Sequence, residues 1–115
     1  MRLGNTMKFY KNLYIGDTVK KPERIKRKLR KYAKLTNVYL IIYMAEDRRL
    51  EIYHSLMLQQ RYYKEKELFI IGIAGSRDEA NQLICRIVQE ALDKTGKTDL
   101  VAYLFSDDST ELADT

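Results

Sequence analysis

The stretch from Leu68 to Gly96 constrains this chain more than any other. Leu68 to Ala74 is an unbroken apolar run of strand length, and such runs belong to strands buried on both faces near the middle of a sheet. Gly75 ends it. Ser76 then takes an N-cap position with Glu79 three residues on, the capping-box pattern. Ala80, Leu83, Ile84, Ile87, Val88, Ala91 and Leu92 recur on one helical face. Asp78 and Glu79 suit the positive end of such a helix, Lys94 suits the negative end, and Gly96 supplies a left-handed stop.

The flanking sequence predicts partners for that strand. Phe9 to Ile15 is strand-favouring and ends at Gly16-Asp17. Pro22 suits a first helical turn, after which Ile25, Leu29, Tyr32 and Ala33 form a narrow apolar stripe through Leu35. Val38 to Met44 and Leu50 to Leu56, joined by a polar turn at Ala45 to Arg49, read as an antiparallel hairpin. Residues 57–67 fit neither a helical nor a strand period, and Asp99 to Phe105 reads as a last strand. The expectation is one α+β domain over 7–105, of order β-α-β-β-x-β-α-β. It has a mixed sheet of four or five strands and both helices packed on one face. Met7 reads as a start of its own, so 1–6 is expected to be a disordered extension, and 106–115 a frayed acidic tail.

Charge is distributed unevenly. The net charge is +5, yet residues 1–34 hold twelve Lys and Arg against two acids, while residues 35–115 hold nine against fourteen. Such a concentration makes a local field that would draw in an anionic partner, or the chain's own acidic half. The single cysteine, Cys85, excludes an intramolecular disulfide and a four-cysteine zinc site. It points to a reducing, cytoplasmic setting. No apolar run approaches a membrane span, and no signal-peptide core precedes Lys11.

Several apparent motifs dissolve on physical reading. Thr95-Gly96-Lys97-Thr98 resembles the end of a phosphate-binding loop, but it follows a helix and precedes a predicted strand, which inverts the order that loop needs. Gly72-Ile73-Ala74-Gly75-Ser76 does run from strand to helix. There Ser76 is expected to cap the free amides, and Asp78 and Glu79 would repel an anion. His54 has no nucleophile and acid of matching strand parity, and Cys85 reads as a small hydrophobe beside the apolar stripe. These residues predict no catalytic, cofactor or metal site.

Two surfaces remain. Lys26, Arg27, Arg30, Lys31 and Lys34 are the candidate contacts for a nucleic-acid backbone on the basic helix 20–34. Tyr39, Tyr43 and Tyr53, among nine tyrosines, are expected on one face of the hairpin, opposite Val38, Leu40, Ile42 and Met44. That face would serve a protein partner, a second copy in a homodimer, or stacked bases. The leading expectation is a non-catalytic binding or protein-interaction module that self-associates; the alternative is an RNA- or DNA-binding protein.

Overall fold

The computed structural model describes residues 7–30, 37–44, 48–59, 68–96, 100–105 and 112–113. In chain order the elements are β1 (Met7–Ile15), α1 (Pro22–Arg30), β2 (Tyr39–Met44), β3 (Arg49–His54), a 3-10 turn (Ser55–Gln59), β4 (Leu68–Ala74), α2 (Arg77–Thr95), α3 (Leu100–Leu104) and the two-residue β5 (Leu112–Ala113). The sheet order is β3-β2-β4-β1-β5. β1 and β4 run parallel; β2 pairs antiparallel with β3 and β4, and β5 antiparallel with β1. The α+β class, the mixed sheet and the hairpin stand as the sequence predicts.

β4 sits at the centre because it is apolar on both sides. Leu68, Ile70 and Ile73 join Phe9, Leu29, Val38, Leu40 and Ile42 in one core cluster. Ile71 and Ala74 join Tyr10, Tyr14, Ile41, Ala80, Leu83, Ile87 and Leu104 in a second. Gly72 lies where the registers of both neighbouring strands shift, and a Cβ there would press on the Tyr14 carbonyl and the Ile41 side chain. A glycine inside a strand is the residue that such a double irregularity requires.

Those two clusters correct the placement of the helices. α1 packs Ile25 and Leu29 onto the first cluster, while α2 and α3 cover the second, so the helices divide between the two faces. A sheet whose inner strands are apolar on both sides exposes a core unless both are covered.

The strand expected at Asp99 to Phe105 is a helix, α3. Leu100, Tyr103 and Leu104 stand at helical spacing and all pack against the second cluster, whereas a strand would turn alternate side chains away. β3 ends at His54, and Ser55 to Gln59 turns off as the 3-10 segment. Within the tail expected to fray, Leu112–Ala113 pairs with Tyr10 and Phe9 of β1. Tyr32, Ala33 and Leu35 of the predicted helix, and residues 1–6, lie outside the described residues.

Candidate nucleic-acid interface

α1 begins where chain geometry and sequence agree. Lys21 accepts the first helical hydrogen bonds, from the Arg24 and Ile25 amides at 3.0 and 3.3 Å, and Pro22 follows as the first helical residue. Lys21 holds φ at +53°, a region that suits glycine far better than lysine. Local strain of this kind concentrates where a side chain is needed for something other than folding.

The inward stripe of α1 is narrow. Leu29 is buried, Ile25 is half-buried, and Val19 packs beneath the incoming loop. The outward residues Lys20, Lys21, Arg24 and Arg27 are exposed, and Lys28 is half-exposed. Among the described residues none of these five has a carboxylate partner. Lys26, by contrast, is held: its ammonium lies 3.5 Å from Glu23 and 5.3 Å from the centre of the Phe9 ring, with 13% of its side chain exposed.

The predicted cation set is therefore brought together only in part. Lys26 lies along the surface with its stem buried, as long cationic side chains do. Arg27 projects into solvent. Arg30 closes the described helix, and Lys31 and Lys34 lie outside the described residues. Sequence reasoning left Lys20, Lys21 and Arg24 out of the set. Their signal was the chain's approach to the helix, two lysines directly before Pro22.

The tyrosines are not brought together. Leu40 lies directly opposite Tyr53 and Tyr39 opposite His54, so Tyr53 shares the α1 side of the sheet while Tyr39 and Tyr43 face α2 and α3. All three are half-buried. Tyr43 packs on Phe105 with ring centres 5.1 Å apart, Phe105 on Phe69 at 5.1 Å, Phe69 on Tyr10 at 6.2 Å and Tyr10 on Tyr14 at 6.3 Å. The rings thus form a row along the α2 side of the sheet, with Tyr10 and Tyr14 buried and Phe69, Phe105 and Tyr43 half-buried, where the aromatic area stabilises that side.

That row ends in a polar cluster not evident in the sequence. The Tyr14 hydroxyl donates to Glu90 Oε1 at 2.6 Å and the Tyr103 hydroxyl to the same atom at 2.9 Å. Arg86 Nε stands 3.5 Å from Glu90 Oε2, with its guanidinium 5.3 Å above the Tyr14 ring. The Tyr14 hydrogen bond holds the Glu90 carboxyl below its ordinary range. Burial, then the Glu90 contact, pushes the Tyr14 hydroxyl far above its own. A tyrosine that keeps its proton and a carboxylate that stays ionised make a poor acid and a poor base near neutrality. The cluster ties β1, α2 and α3 together.

A second carboxylate fills the strand-to-helix turn. Ser76 caps α2 by accepting from the Glu79 amide at 3.1 Å, as predicted. The Glu79 side chain reaches past its cap, accepting from the Gly75 amide at 2.7 Å, the Thr18 hydroxyl at 2.7 Å and the Thr18 amide at 3.0 Å. Those donors, the Gly75 amide first, hold its pKa down. The Gly75, Glu79 and Thr18 donors of this turn are thus occupied from within, at the ends of the two parallel strands where α/β sheets usually bind ligands.

The remaining singular residues are bound up as well. His54 Nδ1 accepts from the Leu56 amide at 3.1 Å, which places the ring proton on Nε2, 2.7 Å from the Asn37 side-chain oxygen. Both ring nitrogens are thus engaged in hydrogen bonds. Cys85 is exposed rather than packed beside the stripe. Gly96 is the left-handed cap of α2, with φ of +74°, so the apparent phosphate-loop fragment begins as a helix end. Among the described residues no three His, Cys, Asp or Glu side chains converge on a metal position, and no helix is long and apolar enough to cross a membrane.

No family model, curated protein or solved structure matches the chain.

Proposed function

We propose that this protein is a non-catalytic binding module whose working surface is the cationic face of α1 and whose ligand is the phosphate backbone of a nucleic acid. The observation that carries this reading is the open state of Lys20, Lys21, Arg24 and Arg27, exposed and without carboxylate partners among the described residues. A solvated lysine or arginine is ordinary by itself, and the weight here lies in the clustering of four. These four stand together on one short stretch of chain and would release counterions from several phosphates at once.

Self-association through the hairpin tyrosines has less support. Tyr39, Tyr43 and Tyr53 pack on both sides of the sheet, and the exposed large hydrophobics among the described residues are Leu56 and Leu92, on different elements. An interface of ordinary size needs a broader apolar centre than that.

Binding of a labelled random-sequence oligonucleotide between about 50 and about 200 mM salt tests the reading, because affinity should fall along a log–log line with a slope of roughly −0.7 to −0.9 per phosphate contact. Replacing Arg24 and Arg27 by Glu together should weaken binding at least about tenfold at low salt and flatten that line by about two contacts. Lys94→Glu, a charge reversal on α2 at the other face, should change neither. Failure to bind at the lowest salt would end the proposal.

A further inference from the structure

The cationic face runs beside a groove. Between Phe9 and Tyr14 the first strand advances five residues while β4 advances two, from Ile70 to Gly72, so the surplus backbone of β1 bulges from the ladder. Lys11 and Asn12 are exposed on that bulge, and Leu13 is half-buried against the α1-side core. The first turns of α1 stand opposite. Between them lies a groove of about 340 Å³, with Leu13 and Pro22 as apolar walls and Lys11, Asn12, Glu23 and Lys26 supplying polar groups.

That lining has the mixed character of a nucleobase. A base presents apolar faces and an edge of donors and acceptors. Leu13 and Pro22 can cover a face, the Asn12 amide offers a donor beside an acceptor, and the Glu23 carboxylate accepts from an exocyclic amine. A simple anion fits poorly because Glu23 would repel it. Lys26, 3.5 Å from Glu23, offsets the repulsion that this carboxylate would exert on neighbouring phosphates.

Geometry then selects the form of the ligand. A backbone crossing Lys20, Lys21 and Arg24 passes directly by Pro22 and Glu23, which form one side of the groove. In a duplex the bases are stacked and paired, and none can enter. In a single strand one base can rotate inward while its phosphates stay on the cations.

We infer that the groove between the β1 bulge and the first turns of α1 seats one unpaired base, which makes the ligand of this surface a single-stranded nucleic acid. The inference rests on reading α1 as a phosphate-binding face.

Fluorescence anisotropy at one low salt concentration compares a labelled strand with its own duplex. The single strand should bind at least about tenfold tighter. Asn12→Ala should lower single-strand affinity about three- to tenfold while leaving duplex affinity, the salt slope and the thermal midpoint as they were. A 4-thiouridine-bearing strand, irradiated and digested, should leave its adduct on peptides containing Lys11 to Leu13 or Pro22 to Lys26. Equal or tighter duplex binding, or adducts confined to other peptides, would overturn the inference. If Arg24→Glu with Arg27→Glu removes binding of both forms while Asn12→Ala affects neither, the phosphate reading survives and the groove does not. If no nucleic acid binds at low salt, both fall.

Discussion

At Glu79 one carboxylate joins two turns distant in sequence, through the Gly75 amide and the amide and hydroxyl of Thr18. Gly16 must stay bare for that to happen, because a Cβ there would fall inside the Glu79 carboxylate. Gly16→Ala should therefore destabilise the fold by about 1–3 kcal/mol, the cost of displacing hydrogen bonds to a charged acceptor. In a Glu79→Ala background the same substitution should cost markedly less, and urea unfolding of the four proteins measures the difference as a coupling. Residue by residue, the sequence announced the cap at Ser76 and the stop at Gly96, since both follow local backbone rules. The reach of Glu79 to Thr18 spans sixty-one positions, and no local rule encodes it.

Among the elements, α1 holds the sheet with few side chains. Leu29 is its one fully covered residue among those described, so Leu29→Ala should cost about 2–5 kcal/mol. Hydrogen exchange should then quicken in α1 well before α2, whose Ala80, Leu83, Ile87 and Ala91 are all buried. An even rise across both helices would contradict that picture. α2 was legible because its stripe runs without a miss from Ala80 to Leu92. α3 was not, because five apolar and aromatic residues satisfy either period and the neighbours decide. The hairpin was read correctly as a pair and misread in parity: opposed residues share a face, and the observed register sets Tyr53 against Leu40. One residue more or less in the turn reverses that assignment, and turn length is weakly written in sequence.

For the molecule as a whole, two α2 carboxylates contribute to its sensitivity to acid. Glu79 and Glu90 both titrate below their ordinary range in the folded state, the one through the Gly75 amide and the other through the Tyr14 hydroxyl. A depressed folded pKa contributes stability that is complete above the unfolded value, near pH 4.3, and is lost as pH falls through the folded one. Unfolding midpoints followed from neutrality downward should fall below about pH 4.3 in the native protein and fall less in Glu79→Gln or Glu90→Gln. Parallel curves for all three would show that these contacts do not govern acid sensitivity. The candidate surface was legible as an excess of charge, since composition alone reveals it. Which cations stand open was not, because Lys26 is taken up by Glu23 and Phe9 while Lys20 and Lys21 lie ahead of the helix.

α1, on one side of the sheet, carries five cations against one carboxylate, whereas α2, on the other, carries three against four, so the positive field of the two helices is concentrated on the α1 side. Near a polyanion such a body feels a torque before it feels a contact, so collisions arrive with the right side leading. Added salt should then act mainly by slowing arrival, with the lifetime of the complex left to the groove.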